Sequence, residues 1–447
     1  MSGPTPPPLG GVHFALIILD GLGDRPHPDT GGISPVEAAR TPNLDALVAR
    51  GRLGQVRILG DGVAPESDAG VLALLGYDPE HDSPGRGVLE AVGLGVPLAA
   101  GDVAFRLNFA TADPTGKIID SRVGRSLRTE EANELARSLS EIDLRSRWQL
   151  AVELRPSIGH RGVLWLHPTD GNALSPEVSN SDPFYERTGG MGHAKRVEVP
   201  RPLPIHALIE DPAAIRTAQA TNAFLTRAME KLAQHPINLA RAREGRPTAN
   251  ALLVRNAGAL GARPLESFRS KQGMPGTAVT EMPVERGIAR LLGLTDEYVG
   301  PMGADRDAAL RERARVTRAA LERTPFVYVH LKGPDEPGHD GNAALKKEIV
   351  EALDRSFFGP FLDGLDWSKT RVAVTADHAT PCILRGHSDD PVPLVIAGAR
   401  VPAWTTVHGT TPPRKFGERA AAQGELGTHE GADVLDMLTG RHALVPE

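Results

Sequence analysis

"PFVYVHLKGPDEPGHDG", residues 325–341, runs from an apolar segment straight into a Gly/Pro-rich stretch that carries Asp335 and His339. The apolar part is short and bounded by turn residues, which predicts a strand. Asp335 and His339 have the spacing of two ligands on one helical face, but Gly333, Pro334, Pro337 and Gly338 surround them. That density of breakers predicts a turn at the strand's end instead of a helix.

Working outward, the same alternation recurs on both sides. "VHFALIILDG" (12–21) reads as a buried strand ending at Asp20, and "TPNLDALVARG" as a helix with Thr41 as a cap and Pro42 in its first turn. "NAALKKEIVEALDRSFF" (342–358) reads as a helix with Leu345, Ile349 and Leu353 on one side, and "RVAVTADH" and "VPLVIAG" as two further strands. Alternating strands and helices predict an α/β fold, a mostly parallel sheet sandwiched by helices, with active residues at the carboxyl ends of its strands. Asp20, Asp335 and Asp377 each follow one such apolar run.

From about residue 80 to 270 the pattern changes to Gly/Pro-rich joints ("DSPGRG", "VPRPLP"), short strand candidates and a helical region near 212–245 interrupted at Pro236. The expected organisation is therefore a discontinuous core of 1–80 and 272–447, with a smaller α+β domain inserted at 81–271.

A hydrophobic share of 40% and a charged share of 24% in 447 residues predict a folded chain with a sizeable core. A net charge of -6 offers no overall reason to bind nucleic acid or an anionic membrane. No stretch approaches the roughly 18 apolar residues of a transmembrane helix, and "MSGPTPPPLGG" reads as a short flexible tail without signal-peptide features. The single Cys382 excludes an internal disulfide or a cysteine-rich zinc site and reads as a small buried hydrophobe; a reducing cytoplasm fits best. Nothing in the sequence sets an oligomeric state.

Four separated segments place acids and histidines in Gly/Pro-marked turns: Asp20; Ser67 and Asp68; Asp335 and His339; and Asp377, His378 and His387. Any one of them alone could be a cap or a strand end. Together, on loops that converge on one sheet edge, they predict a site for divalent ions, with mixed oxygen and imidazole ligands suiting Mn²⁺ or Zn²⁺. So many ligands favour two ions, a recurrent arrangement for phosphoryl transfer, and Ser67 reads as a metal-activated nucleophile or as a helix cap, two roles that are compatible.

The segments "LIILDGLGDRP", "EAARTPNLDALVARG", "SDAGVLALLGYDP", "PGRGVLEAVGLGVPL", "GDVAFRLNFATAD", "HLKGPDEPGHDG" and "VTADHATPCILRGHSDDPVPLVI" resemble the archaeal-type cofactor-independent phosphoglycerate mutases, within the alkaline phosphatase superfamily. The resemblance spans nearly the whole chain and is weakest between about 175 and 250. It implies an alkaline-phosphatase-like core interrupted by a substrate-handling domain. It also implies one ion on Asp335, His339 and His387, a second on Asp20, Ser67, Asp377 and His378, and a phosphoserine formed on Ser67. The implied metals are Mn²⁺ first, with Zn²⁺, Mg²⁺ or Co²⁺ as alternatives, and no 2,3-bisphosphoglycerate is required. The implied substrate is a small phosphorylated carboxylic acid, interconverted between 2- and 3-phosphoglycerate. Arg86, Arg106, Asn108, Arg125 and Arg161 are the candidates to hold it, with Lys271 and Lys332 as catalytic cations. The more distant Arg137 and Arg241 read as solvated charges or surface salt bridges.

The segment "SNSDPFYERTGG" departs from the family, which tends to continue Asp-Pro with His and Lys where Phe184 and Tyr185 stand here. The chain is also longer, with its Pro-rich start and the extended "TPPRKFGERAAAQGEL". These departures leave a related two-metal phosphomutase, phosphatase or phosphonate-processing enzyme as the alternative function. A non-catalytic binding protein is disfavoured because Ser67 and every inferred ligand are present.

Overall fold

The computed structural model describes residues 8–188, 191–194, 197–261, 265–402 and 415–444. The start of the Pro-rich tail and residues 411–414 of the extended "TPPRKFGERAAAQGEL" lie outside the described residues. In chain order the strands are β1 (His13–Leu19), β2 (Gly51–Arg57), β3 (Val103–Ala112), β4 (Ile118–Asp120), β5 (Leu150–Pro156), β6 (Arg161–Pro168), β7 (Tyr185–Thr188), β8 (Met191–Ala194), β9 (Ala251–Gly258), β10 (Gly276–Thr280), β11 (Thr295–Tyr298), β12 (Phe326–Leu331), β13 (Thr370–Thr375), β14 (Val392–Gly398) and β15 (Thr428–Glu430). Contacts divide the chain into one unit of Met1–Asp82 with Glu266–Glu447 and a second of Ser83–Leu265.

The first unit is built on an eight-stranded sheet in the order β11-β10-β12-β1-β13-β14-β2-β15. β11 through β13 are all parallel, and β14 runs antiparallel to both of its neighbours. Central strands covered on both faces are buried along their whole length and mostly apolar, and Ala15–Leu19 and Phe326–Leu331 are buried without alternation, His330 being the polar exception. Because β1 lies between β12 and β13 in register, with Leu19 opposite Leu331 and Ile18 opposite Thr375, three chain crossings deliver their next residues to one edge.

Lys346 is unexpected on the helix Ala343–Leu353. Ile349 and Leu353 are buried, Leu345 only partly, and Lys346 is wholly buried with them. Its ammonium donates to the carbonyls of Gly21 at 2.9 Å, Gly23 at 3.2 Å and Thr380 at 3.0 Å, and pairs with Asp24 at 2.9 Å. A buried ammonium is tolerated when its hydrogens and charge are all matched, as here.

In the second unit β3 pairs antiparallel with β6 on one side and β9 on the other, and β5 continues the sheet from β6. The helices Thr129–Leu139 and Pro212–Ala233 share its apolar core through Leu135, Leu139, Phe224, Leu225 and Leu232. A separate helix, Pro236–Arg243, starts where Pro236 breaks the long one, since a proline is free of cost in a first turn. Arg241 on it is not a solvated charge: it is fully buried, 2.9 Å from Glu131 and bonded to Pro247 O and Ser126 Oγ, whereas Arg137 is exposed. Among the described residues no helix is long and apolar enough to cross a membrane.

Glu418, just beyond the undescribed 403–414, accepts from Ser34 Oγ at 2.5 Å and from Asp24 N at 3.1 Å. Burial pushes its carboxyl up to about 7, with nearby Glu37 adding to the rise. The folded state therefore holds this proton more tightly than the unfolded chain, whose glutamates titrate near 4.5. Stability from this group is complete below about pH 4.5 and declines as the pH rises toward 7. Glu418→Gln keeps both contacts without the titration, its amide oxygen accepting from Asp24 N and its amide N–H donating to Ser34 Oγ. It should raise the urea midpoint at pH 8, by the equivalent of about 1–2 kcal/mol, and leave it unchanged at pH 4.5; equal shifts at both pH values would refute the titration argument.

Candidate metal centre

The stretch 335–340 is a helix, contrary to the turn expected from its breakers. Pro337 is its third residue, where the N–H would have no intrahelical acceptor, so the proline costs nothing. Gly341, left-handed at φ 73°, ends the helix. Gly338 is needed for contact, because a Cβ there would lie 2.4 Å from Thr380 O. The helix places Asp335 and His339 on one face, with His339 Nε2 3.4 Å from Asp335 Oδ1. His387 Nε2 reaches the same oxygen at 3.4 Å.

A second set forms one strand over. Asp20, Asp377 and His378 are buried, with His378 Nε2 3.6 Å from Asp20 Oδ1 and 3.5 Å from Asp377 Oδ2. Each of the two triads offers ligand atoms within 4.8 Å of one another. The rings of His378 and His387 stack at 3.8 Å, so the triads adjoin. Ser67 is the first residue of the helix Ser67–Leu74 and is not its cap; the cap position belongs to Glu66. The Ser67 hydroxyl stands 3.4 Å from Asp20 Oδ1 and 3.3 Å from His378 Nε2.

The donors fit divalent cations. Asp377 Oδ2 is buried and lacks a well-aligned hydrogen-bond donor, although His330 Nε2 is 3.1 Å away. A carboxylate oxygen without an aligned donor in a buried, imidazole-lined site suits a cation. The outer nitrogens are also held: His387 Nδ1 is 2.8 Å from Pro65 O and His378 Nδ1 is 3.0 Å from Thr380 Oγ1, which leaves both Nε2 atoms for the site.

Three residues behind the second triad matter to its charge. Lys332 was expected; its ammonium lies 3.4 Å from Asp20 Oδ2 and 3.1 Å from Glu285 Oε1. His330 and Glu285 were not anticipated. His330 is buried, its Nδ1 3.3 Å from Glu285 and its Nε2 3.5 Å from Asp20. The available signal was its place in an otherwise apolar strand, two residues before Lys332 and so on the same face. Burial pushes the Glu285 and Asp20 carboxyls up, but Lys332 and His330 outweigh it, taking Glu285 to about 2 and Asp20 well below the usual range. For Lys332 the carboxylates likewise overcome the burial that would lower it.

Lys271 lies on the helix Phe268–Gln272 in the same unit, over the Tyr77 ring at 4.9 Å and 3.9 Å from Asp82. None of its described contacts is with either triad.

The other basic candidates sit in the second unit. Arg86 and Arg106 both approach Glu90 Oε1, at 3.1 and 3.3 Å. Arg106 stands opposite Arg255 across β3 and β9, and Asn108 opposite Arg161 across β3 and β6. Facing cations repel unless an anion compensates, and burial together with Arg86, Arg255 and Arg161 lowers Arg106 to about 9. His160 is lowered to about 3 by burial and by Arg161, Arg122, Arg106 and Arg125. Arg125 itself ends a left-handed run, Val123 (φ 54°), Gly124 (59°) and Arg125 (51°), a strained backbone of the kind found at functional sites. Asn108 is buried with its Oδ1 unpaired. Arg255 pairs with Asp182 at 2.5 Å and lies 3.9 Å over the Tyr185 ring, so the divergent "SDPFY" covers one of these cations. This cluster of guanidinium groups is suited to an anionic ligand.

A family model described as 2,3-bisphosphoglycerate-independent phosphoglycerate mutase matches residues 48–238. A protein of that name from Aeropyrum pernix is 44% identical over 437 residues, covering 96% of this chain and 100% of the relative. One from Methanopyrus kandleri is 38% identical over 427 residues, covering 95% and 94%. Among solved structures, a Pyrococcus horikoshii protein aligns with a TM-score of 0.75 at 30% identity, covering 97% of this chain and 98% of that one. The cofactor-independent phosphoglycerate mutase of Thermoplasma acidophilum aligns with a TM-score of 0.61 at 31% identity, covering 97% and 100%. With identities of this size over nearly its full length, the chain belongs to the 2,3-bisphosphoglycerate-independent phosphoglycerate mutase family.

Proposed function

We propose that the protein interconverts 2-phosphoglycerate and 3-phosphoglycerate in the cytoplasm through a phosphoryl group carried on Ser67. The observation that carries this reading is Ser67 Oγ, 3.3 Å from His378 Nε2 and 3.4 Å from Asp20 Oδ1, at the start of a helix whose dipole favours negative charge there. Asp335, His339 and His387 would hold one ion, and Asp20, Ser67, Asp377 and His378 a second, with Mn²⁺ the first choice and Zn²⁺, Mg²⁺ or Co²⁺ the alternatives. When bound, such ions favour the serine alkoxide and neutralise charge on the transferring group.

The Ser67 Oγ–P bond forms as the phosphoryl group leaves one glycerate oxygen, and the serine proton ends on that oxygen. The released glycerate turns while still held, and the reverse transfer to its other hydroxyl frees Ser67. Lys332 supplies fixed positive charge beside Asp20. Arg86, Arg106, Asn108 and Arg161, with Arg125, are the groups we assign to the substrate's anionic and hydroxyl oxygens. Lys271 has no described partner in this scheme beyond Asp82 and Tyr77, and its catalytic role rests on the family resemblance alone.

Phosphorus NMR of 3-phosphoglycerate with Mn²⁺-loaded protein, without 2,3-bisphosphoglycerate, tests the proposal. The expected result is conversion to the 2-isomer with no matching release of inorganic phosphate. No conversion with ions bound would overturn it, and phosphate release outrunning isomer formation would favour a phosphatase.

A further inference from the structure

We propose that Thr380 is a positioning residue shared by the two ion-binding triads, its one hydroxyl orienting a ligand of each. The proposal rests on the two-ion reading above. Thr380 Oγ1 lies 2.7 Å from Asp335 Oδ1, in the first triad, and 3.0 Å from His378 Nδ1, in the second.

A hydroxyl has one hydrogen, and an ionised carboxylate only accepts, so that hydrogen goes to Asp335. At the other contact the oxygen must accept, and His378 Nδ1 must therefore carry the imidazole hydrogen. The ring is thus held in the tautomer whose Nε2 lone pair faces Asp20, Asp377 and Ser67, at 3.6, 3.5 and 3.3 Å. The same hydrogen bond turns Asp335 toward His339 and His387.

The hydroxyl is fixed from behind. Thr380 is fully buried; its N–H donates to Gly23 O at 2.9 Å and its carbonyl accepts from Lys346 at 3.0 Å. The glycines around it leave no spare room: a Cβ on Gly21 would lie 2.6 Å from Thr380 Oγ1, and one on Gly338 2.4 Å from Thr380 O. Asp335 and His378 are thereby held against a side chain that cannot turn away from either.

The test compares wild type, Thr380→Ser and Thr380→Val by titrating each metal-stripped full-length protein with Mn²⁺ and with Co²⁺, following the Co²⁺ visible spectrum. Val has nearly the shape of Thr and no hydroxyl. The expected result is two bound equivalents in wild type, with Thr380→Val weakening both by about 10–100-fold and altering the spectrum. Thr380→Ser should recover both to within about 3-fold. Weakening of one equivalent only, or of neither, would overturn the shared role while leaving two-ion binding intact. Failure of Ser to recover what Val loses would overturn it too, since the hydroxyl would then not be the active feature. Should wild type itself bind no ions, the two-ion reading falls first. Thermal melts of the metal-free proteins accompany the titrations, and Thr380→Ala carries the same comparison if Thr380→Val does not fold.

Discussion

Ser67→Ala is expected to lower the rate of phosphoglycerate interconversion by about 10⁴-fold or more, equivalent to about 5 kcal/mol of transition-state stabilisation. The reason is covalent: the proposed route splits one difficult transfer into two through Ser67 Oγ, and alanine offers no acceptor. Folding should be spared, because Ser67 begins its helix without capping it and, among the described residues, its hydroxyl hydrogen-bonds to Asp20 and His378 alone. Asp20, Asp377 and His378 would remain for the proposed second ion, so metal content should change little. The measurements are steady-state kcat, metal analysis, and a search for a phosphorylated protein in quenched reactions. Loss of phosphoprotein together with activity is the expected outcome. Residual turnover within about tenfold of wild type would remove Ser67 from the pathway.

The second large effect is on stability. Lys346→Met should cost about 3–5 kcal/mol, because removing one member of a buried pair leaves the other charge uncompensated. Here the orphan is the Asp24 carboxylate, and the carbonyls of Gly21, Gly23 and Thr380 lose their donor as well. Asp24 keeps the backbone N–H groups of Cys382 and Arg25, which limits the damage. Urea denaturation of the metal-free protein measures the loss. The double variant Lys346→Met with Asp24→Asn should recover a substantial part of it, since the orphaned charge goes with the aspartate. If the double variant is no more stable than the single one, the charge was not the source of the cost.

Much of the candidate site is legible in the sequence because the residues that gather there sit at positions that local pattern marks. Asp20, Asp335 and Asp377 each follow an apolar run, and parallel strands bring such ends to one edge whatever their separation in sequence. Breakers taken without regard to position predict a turn at 335–340, where the chain forms a helix. A proline in a first turn has no hydrogen bond to lose, so the breakers and the helix coexist. Arg241 was misread for a different reason: a charge on a short helix looks solvated until its partners, Glu131 and Ser126, are known to lie against it.

The sequence alone determined the alternation of strands and helices, the carboxyl-end placement of the acids, and the set of acids and histidines with the chemistry to bind divalent ions. These depend on periodicity and on breakers, which act over a few residues. The tertiary structure decided that His330 and Glu285 stand behind Asp20, that Lys346 is buried against Asp24, and that one threonine hydroxyl reaches both triads. Pairs such as Asp20 with His330 and Asp24 with Lys346 join residues far apart in the chain, and what makes a buried charge tolerable is the partner that only the folded chain brings to it.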